Sequence, residues 1–493
     1  MNTGIAAGHE ETARAAADVL QAGGNAVDAA IAAFFMSWVA EPCMSSAGGG
    51  AFAMVAMEGE PIVLYDFFCQ TPRRKRPPHE SDFFPVTVDF GDTHEVFHVG
   101  KGATAVPGAV AGVFALHRRY GTVPMTDLVQ PAAAAAKNGV VVNDFQHFDF
   151  DLVKPILELH ERTHTVFFPG GKVAAVGERV CLSDMADFLE VLAKEGEALF
   201  YQGEIAQQIV RDYSTAGGSL TMEDFTGYQV RIRQPLHFPW HGKMVYTNPA
   251  PSIGGAIIAL AMGALADEDI PEDYLGEGHI ERMYRVFAQV DALGKSPEHL
   301  HHAVRTWQQK TWGSTTHFNV ADRRGNAVSL SSTIGEGCGY VVPGADILLN
   351  NMLGEAALMP NGFHSWRKNV RLSSMMAPTM VCNETQQPEI VLGTGGASRI
   401  AFAISQVLSL LIDYKLPVEV AVNAPRVHWE HDVLHIEPGF KGIPAISSAA
   451  QQQMKLWQRQ SLFFGGVHTL RRIDNYWTAA GDERRDGVAM IAP

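Results

Sequence analysis

Apolar and polar residues alternate most regularly in the run TTHFNVADRRGNAVSLSST, from Thr315 to Thr333. Phe318, Val320, Val328 and Leu330 fall on every second position, and Gly325-Asn326 supply turn chemistry within residues 322–326. The pattern predicts two antiparallel strands that return Thr333 alongside Thr315. The same period of two, bounded by polar turns, predicts strands over 48–55, 61–68, 227–230, 231–240 and 243–247. Helical spacing predicts a helix over 10–21, stopped by Gly23-Gly24, and a second over 25–39 that is apolar on nearly all sides and therefore central. Further helices are predicted over 110–119, 125–137, 185–193, 205–213, 254–265 and 280–293, and a polar connector rich in His, Gln, Lys and Trp over 299–314. Strands, then helices, then strands again suit the α+β class, with helices packed outside two stacked sheets.

Composition narrows this only a little. A chain of 493 residues with 46% hydrophobic content can bury a large core, and no Pro/Ser-rich linker divides it. A net charge of −15 disfavours nucleic acid or an anionic membrane as partner, since both require a basic surface. The single basic cluster, Arg73-Arg74-Lys75-Arg76, reads as a solvated loop. Five cysteines without CxxC spacing imply neither a disulfide framework nor a zinc ribbon. The start, Met1-Asn2-Thr3-Gly4-Ile5, has no basic, apolar leader pattern, so a cytoplasmic location is expected, or a periplasmic or secreted one if a leader was removed.

Several motifs suggest chemistry that their settings withhold. His94-Glu95-Val96-Phe97-His98 satisfies H-E-x-x-H, but that zinc motif needs a helix. Here Val86-Thr87-Val88 before and Val99-Gly100 after predict strand and loop. On a strand the two imidazoles would stand roughly 13 Å apart, at about 3.3 Å per residue. His299, His301 and His302 read as part of the solvated connector. The glycine clusters 48–50 and 393–396 lack the strand–G-x-G-x-x-G–helix setting of a dinucleotide site. No metal and no cofactor is expected.

Thr315 is the strongest candidate. A threonine hydroxyl needs an adjacent base to act as a nucleophile, and a cut just before Thr315 would supply one in its own α-amine. β-Branched residues simply favour strands, so the Thr-Thr dipeptide alone says little. Its company says more. Gly23-Gly24-Asn25-Ala26-Val27-Asp28-Ala29-Ala30, Glu41-Pro42, Gly48-Gly49-Gly50, Val106-Pro107-Gly108 and Tyr120-Gly121-Thr122 precede Thr315-Thr316-His317. Leu348-Leu349-Asn350-Asn351, Arg371-Leu372-Ser373-Ser374-Met375, Gly395-Gly396-Ala397-Ser398-Arg399 and Asn423-Ala424-Pro425-Arg426 follow it. In this order the chain resembles the γ-glutamyltransferase (glutathione hydrolase) family of N-terminal-nucleophile hydrolases.

The resemblance implies a four-layer αββα sandwich and autocatalytic cleavage between Ser314 and Thr315. It divides the chain into a large chain, 1–314, and a small chain, 315–493, that stay associated. It implies Thr315 as nucleophile, Thr333 as the residue that orients it by hydrogen bond, and the N–H groups of Gly396 and Ala397 as oxyanion donors. Ser373 and Ser374 fall where the family binds a substrate α-carboxylate, and Glu355 where it holds the α-amine. Three positions depart from the family: Phe68 stands for an arginine, Met352 for a glutamine and Gly335 for an asparagine. Replacing an arginine fork by a phenyl ring removes the strongest carboxylate ligand of such a pocket. The expected activity is therefore cleavage of a γ-glutamyl or related amide, by hydrolysis or acyl transfer, through a threonyl ester. The alternative is an amidase for another small-molecule amide, similar to cephalosporin acylases, poly-γ-glutamate depolymerases or oxamate amidohydrolases. An uncut binding protein is a third reading.

Overall fold

The computed structural model describes residues 1–89, 94–295, 314–359, 361–445 and 453–493. Seven strands form one antiparallel sheet, in the spatial order Val488–Ala492, Thr3–Ala7, Thr315–Ala321, Ala327–Thr333, Gly50–Ala56, Val63–Phe67 and Arg231–Arg233. Six form another: Tyr476–Ala480, His468–Ile473, Pro388–Gly393, Thr379–Cys382, Lys243–Thr247 and Leu236–Trp240. The hairpin forms in the predicted register, with Thr315 opposite Thr333 and Phe318 opposite Leu330.

Side-chain alternation tells the two faces of the first sheet apart. Ala51, Ala53, Val55, Phe318, Val320, Val328 and Leu330 join one apolar cluster with helix Ala26–Ala40. Phe52, Met54, Ala56, Ala321 and Ala327 join another, with Met380, Val381, Val391 and Leu392 of the second sheet and helices Gly254–Ala266 and Ile400–Ile412. Both faces of these central strands are therefore covered, which explains why every residue of Gly50–Ala56, Thr315–Ala321 and Ala327–Thr333 is buried.

Helix Ala26–Ala40 is buried along its whole length, as its all-round apolar sequence predicted. Asn25 caps it, with Asp28 completing a capping box. The Asp28 carboxylate also accepts from the Thr122 N–H at 2.9 Å, and Asn25 Nδ2 donates to Tyr120 O at 2.7 Å. Two of the family motifs thus lock one helix to one loop.

The region after residue 226 differs from the prediction. Residues 227–230 form no strand, because the Gly227 N–H closes helix Met222–Thr226 onto Glu223 O at 3.0 Å. The strand expected over 231–240 is two strands in different sheets, parted at Gln234-Pro235. Proline has no N–H to continue a ladder, and the chain uses it to change sheets. His94–Val99 is a strand paired with Phe84–Asp89, the setting the sequence predicted for the H-E-x-x-H stretch. The polar connector lies outside the described residues except at Ser314, and so do His299, His301 and His302. Among the described residues no helix is long and apolar enough to cross a membrane.

Candidate active site

Thr315 opens its strand and is 5% exposed. Alternation sends Thr316 to the helix side, where its hydroxyl donates to Glu41 at the C-terminal end of helix Ala26–Ala40. Thr315, His317 and Asn319 face the second sheet. His317 Nδ1 meets Ser331 Oγ at 2.8 Å and Asn319 Nδ2 donates to His468 O at 2.9 Å. The space between the sheets is therefore polar at this end.

Thr333 Oγ donates to the Ser314 carbonyl oxygen at 2.5 Å and accepts from the Gly335 N–H at 2.9 Å. The sequence reading gave Thr333 the task of orienting Thr315 itself. The structure instead sets its hydroxyl on the carbonyl one residue earlier, because the register ends both strands at this pair and Ser314 O is the next acceptor along the chain. Among the described residues no hydrogen bond uses Thr315 Oγ. Ser314 is held on its other side by Glu336, which accepts from the Ser314 N–H at 2.9 Å and from Ser314 Oγ at 2.8 Å. The Glu336 N–H in turn donates to Asn351 Oδ1 at 2.9 Å.

The glycine loop after strand Pro388–Gly393 closes on Thr315. A Cβ on Gly395 would lie 2.2 Å from Thr315 O, so only glycine permits this approach. Arg485 Nη1 donates to the same carbonyl at 3.2 Å. Gly396 takes φ +123° and Ala397 φ +47°, so the alanine adopts a left-handed backbone that glycine would hold without strain. Among the described residues no hydrogen bond uses the Gly396 or Ala397 N–H, the two donors expected for an oxyanion. Glu355 stands behind Gly335, where a Cβ would lie 2.8 Å from Glu355 Oε1. The structure thus brings Thr315, Thr333, Glu355 and the 395–397 loop to one end of the sheets.

Acids dominate the surroundings. Burial pushes Glu41 up to about 7, against hydrogen bonds from Thr316 and Thr12. Burial, then the charge of Glu336, pushes Asp149 up to about 7. Burial raises Glu336 as well, opposed by its Ser314 donors and by Arg485, and it raises Glu355, helped by Glu336 and Glu95. Arg485 faces Glu336 and Asp149, and burial lowers it to about 10. Sequence reasoning passed over Glu336, Arg485 and Asp149. Only the position of Glu336, three residues beyond Thr333, hinted at a role. Among the described residues no group of three or more His, Cys, Asp or Glu side chains could hold a metal ion.

The two serines differ in their engagement, and among the described residues the buried Ser373 Oγ has no hydrogen-bond partner. Ser374 Oγ accepts from the Met376 N–H at 3.0 Å, and its carbonyl takes the Ser252 hydroxyl at 2.7 Å, so it is built into a turn. Ser373 lines a cavity of about 860 Å³ with Trp366, Pro235, Leu358 and Met359. Among the described residues neither serine hydrogen-bonds to Thr315 or Thr333. Phe68 is 1% exposed and stacks on Phe52 at 5.3 Å. The nearest arginine, Arg371, donates to Phe68 O, to Tyr228 Oη and to Gln229 O, and lies 3.3 Å from Asp66. Nor does the basic cluster supply a substitute through Arg76, which donates to the carbonyls of Gly218 and Ser214.

Comparison with known proteins adds three likenesses. The chain is 31% identical to a glutathione hydrolase proenzyme of Pseudomonas aeruginosa, over 99% of its own length and 94% of the relative's. It is 29% identical to an acylase ACY 1 proenzyme of a Pseudomonas species, over 99% of its length and 93% of that relative's. Its fold matches the crystal structure of a cephalosporin acylase from Bacillus halodurans with a TM-score of 0.80 at 24% identity, covering 99% of this chain and 95% of that one. The γ-glutamyltranspeptidase family model matches residues 12–291 and 268–492. The chain belongs to the γ-glutamyltranspeptidase family.

Proposed function

We propose that this protein is an amidohydrolase or acyltransferase that cuts itself between Ser314 and Thr315 and then works through the new N-terminal threonine. Its architecture, on this reading, is the four-layer αββα sandwich of N-terminal-nucleophile hydrolases. Thr315 Oγ attacks the Ser314 carbonyl, the C–N bond breaks as the C–O bond forms, and water hydrolyses the resulting ester. The freed α-amine has a reference pKa of about 7.7–8.0 and takes the hydroxyl proton during turnover. The substrate's acyl group passes to Thr315 Oγ and leaves to water or to an acceptor amine.

One observation carries the reading. The Thr333 hydroxyl donates to the Ser314 carbonyl while Arg485 donates to the carbonyl of Thr315, against which Gly395 packs, so the bond to be cut is held on both sides. Sheet order supports the association of the two chains after cleavage. Strand Thr3–Ala7 of the large chain lies between Val488–Ala492 and Thr315–Ala321 of the small one, and Gly50–Ala56 pairs with Ala327–Thr333.

For the substrate, the buried Phe68–Phe52 stack and the hold of Phe68 O, Tyr228 Oη and Gln229 O on the Arg371 guanidinium favour an amide other than γ-glutamyl. Intact mass and end-group sequencing test the proposal. Two fragments are expected, the smaller beginning Thr-Thr-His, and Thr315→Ala is expected to stay whole and inactive. A chain that is fully active while uncut, or cut at another bond, refutes it.

A further inference from the structure

Of the two contacts that hold Ser314, the one to Glu336 is the more unusual. A buried carboxylate, 4% exposed, accepts both the N–H and the hydroxyl of the residue whose carbonyl is to be attacked. The arrangement is rigid on the Glu336 side as well, since its own N–H is tied to Asn351 and Asn351 Nδ2 reaches His98 O at 3.3 Å. When the Ser314 end leaves, both donors leave with it. A carboxylate stripped of its hydrogen bonds in a buried site is costly, so the site favours a ligand that replaces them.

Resting on the self-cleavage reading above, we propose that Glu336 reads the acyl side of whichever bond Thr315 attacks. In the uncut chain that acyl group is Ser314. Afterwards it is a substrate acyl group carrying an N–H on its α carbon or a hydroxyl on its β carbon. The two events share the nucleophile and form the same kind of ester, so an acyl group in the place of Ser314 sets its carbonyl near Thr333 Oγ and its α and β substituents at Glu336. An α-amino or α-acylamino amide with a β-hydroxyl satisfies all three contacts. A γ-glutamyl group offers only methylenes at its α and β carbons and leaves the carboxylate unpaired. The preference is therefore independent of the arginine missing at position 68.

The test compares L-seryl-p-nitroanilide with propionyl-p-nitroanilide, which has the same acyl length and no donors, on wild-type protein shown by intact mass to be cut. The seryl compound is expected to react with a kcat/KM about 10- to 100-fold higher, the effect of one or two hydrogen bonds to a charged group. Glu336→Gln keeps an acceptor for one donor only, and is expected to narrow that ratio at least about fivefold. It should also self-cleave more slowly than wild type but faster than Glu336→Ala. Equal rates on the two anilides, or a Glu336→Gln variant that lowers both together with the ratio unchanged, overturn the proposal and leave self-cleavage standing. Wild-type protein that never cuts refutes the underlying reading instead.

Discussion

Replacing Thr333 with alanine removes one oxygen that makes two contacts, the donation to Ser314 O at 2.5 Å and the acceptance from the Gly335 N–H at 2.9 Å. The first contact bears on rate. Attack by Thr315 Oγ turns the Ser314 carbonyl oxygen into an alkoxide, and a donor already aimed at that oxygen in a dry site needs no reorganisation as charge develops. Removing one such donor costs about 10²–10³ in rate, or about 2.7–4 kcal/mol. The second contact bears on stability, since a buried N–H left unpaired costs about 1–3 kcal/mol. Self-cleavage of Thr333→Ala should therefore slow by about two to three decades while the chain still folds. Uncut variant protein is incubated at constant temperature and the uncut fraction followed by intact mass, with urea unfolding run in parallel so that lost stability is not read as lost chemistry. Thr333→Ser, which keeps the hydroxyl and drops a methyl group, should cut within about tenfold of wild type, a loss of at most about 1.4 kcal/mol. If alanine cuts as fast as wild type, or serine as slowly as alanine, the hydroxyl does not polarise the Ser314 carbonyl and the reasoning fails.

Three other outcomes follow from the site. Burial holds Glu41 at about 7 in the folded chain against an ordinary value of 4.5, so the folded state keeps a proton that the unfolded state has released. The stability from this group is whole below about pH 4.5 and is lost as pH rises through 7, by roughly 3 kcal/mol. In urea unfolding, Glu41→Gln should lose that much less stability than wild type between pH 5 and pH 8; equal losses would refute the assignment. Ala397→Gly relieves a left-handed alanine at φ +47°, but glycine's extra chain entropy offsets about 0.5–1 kcal/mol of the gain. Its stability should stay near that of wild type and its kcat within about threefold, because the backbone N–H is unchanged; a drop beyond about tenfold would show that the alanine methyl, and not the backbone donor, matters. Phe68→Arg should not restore activity on γ-glutamyl-p-nitroanilide. It puts a charge beside Phe52 where Asp66 is already paired with Arg233 and Arg371, and should cost about 3–5 kcal/mol. A stable variant with raised γ-glutamyl activity would contradict the reading that the substrate is an amide other than γ-glutamyl.

What could be read in the sequence divides along physical lines. The hairpin was legible to the residue, because a period of two fixes which side chains share a face and the Gly325-Asn326 turn fixes the register. The central helix was legible because its apolar run, Ala26–Ala40, is too long for a buried strand. The sheet change at Gln234-Pro235 was not, since the alternation runs on through a residue that cannot join the ladder. Ser373 and Ser374 keep the family's residues; Ser374 Oγ holds a turn, Ser373 Oγ is buried without a hydrogen-bond partner among the described residues, and position 68 is a buried phenylalanine.

Two of the four acids at the site, Asp149 and Glu336, were illegible for a different reason, whereas Glu41 and Glu355 lie in positions the family resemblance had marked. Glu41, Asp149, Glu336 and Glu355 come from four separate stretches of chain, and nothing periodic marks any of them. They converge because helix Ala26–Ala40 ends beside Thr316, because the loop after Thr333 turns back at Gly335, and because that turn has room for Glu355 only while position 335 lacks a side chain. The last point bears on one of the family departures. Gly335 adopts φ +67°, and any Cβ there would lie 2.1 Å from Asn351 Oδ1 and 2.8 Å from Glu355 Oε1. An asparagine at this position, with Glu355 and Asn351 kept where they are, would collide with both. Gly335, Asn351 and Glu355 are therefore sterically coupled, and Gly335→Asn alone should disrupt the site and not recover a γ-glutamyl pocket.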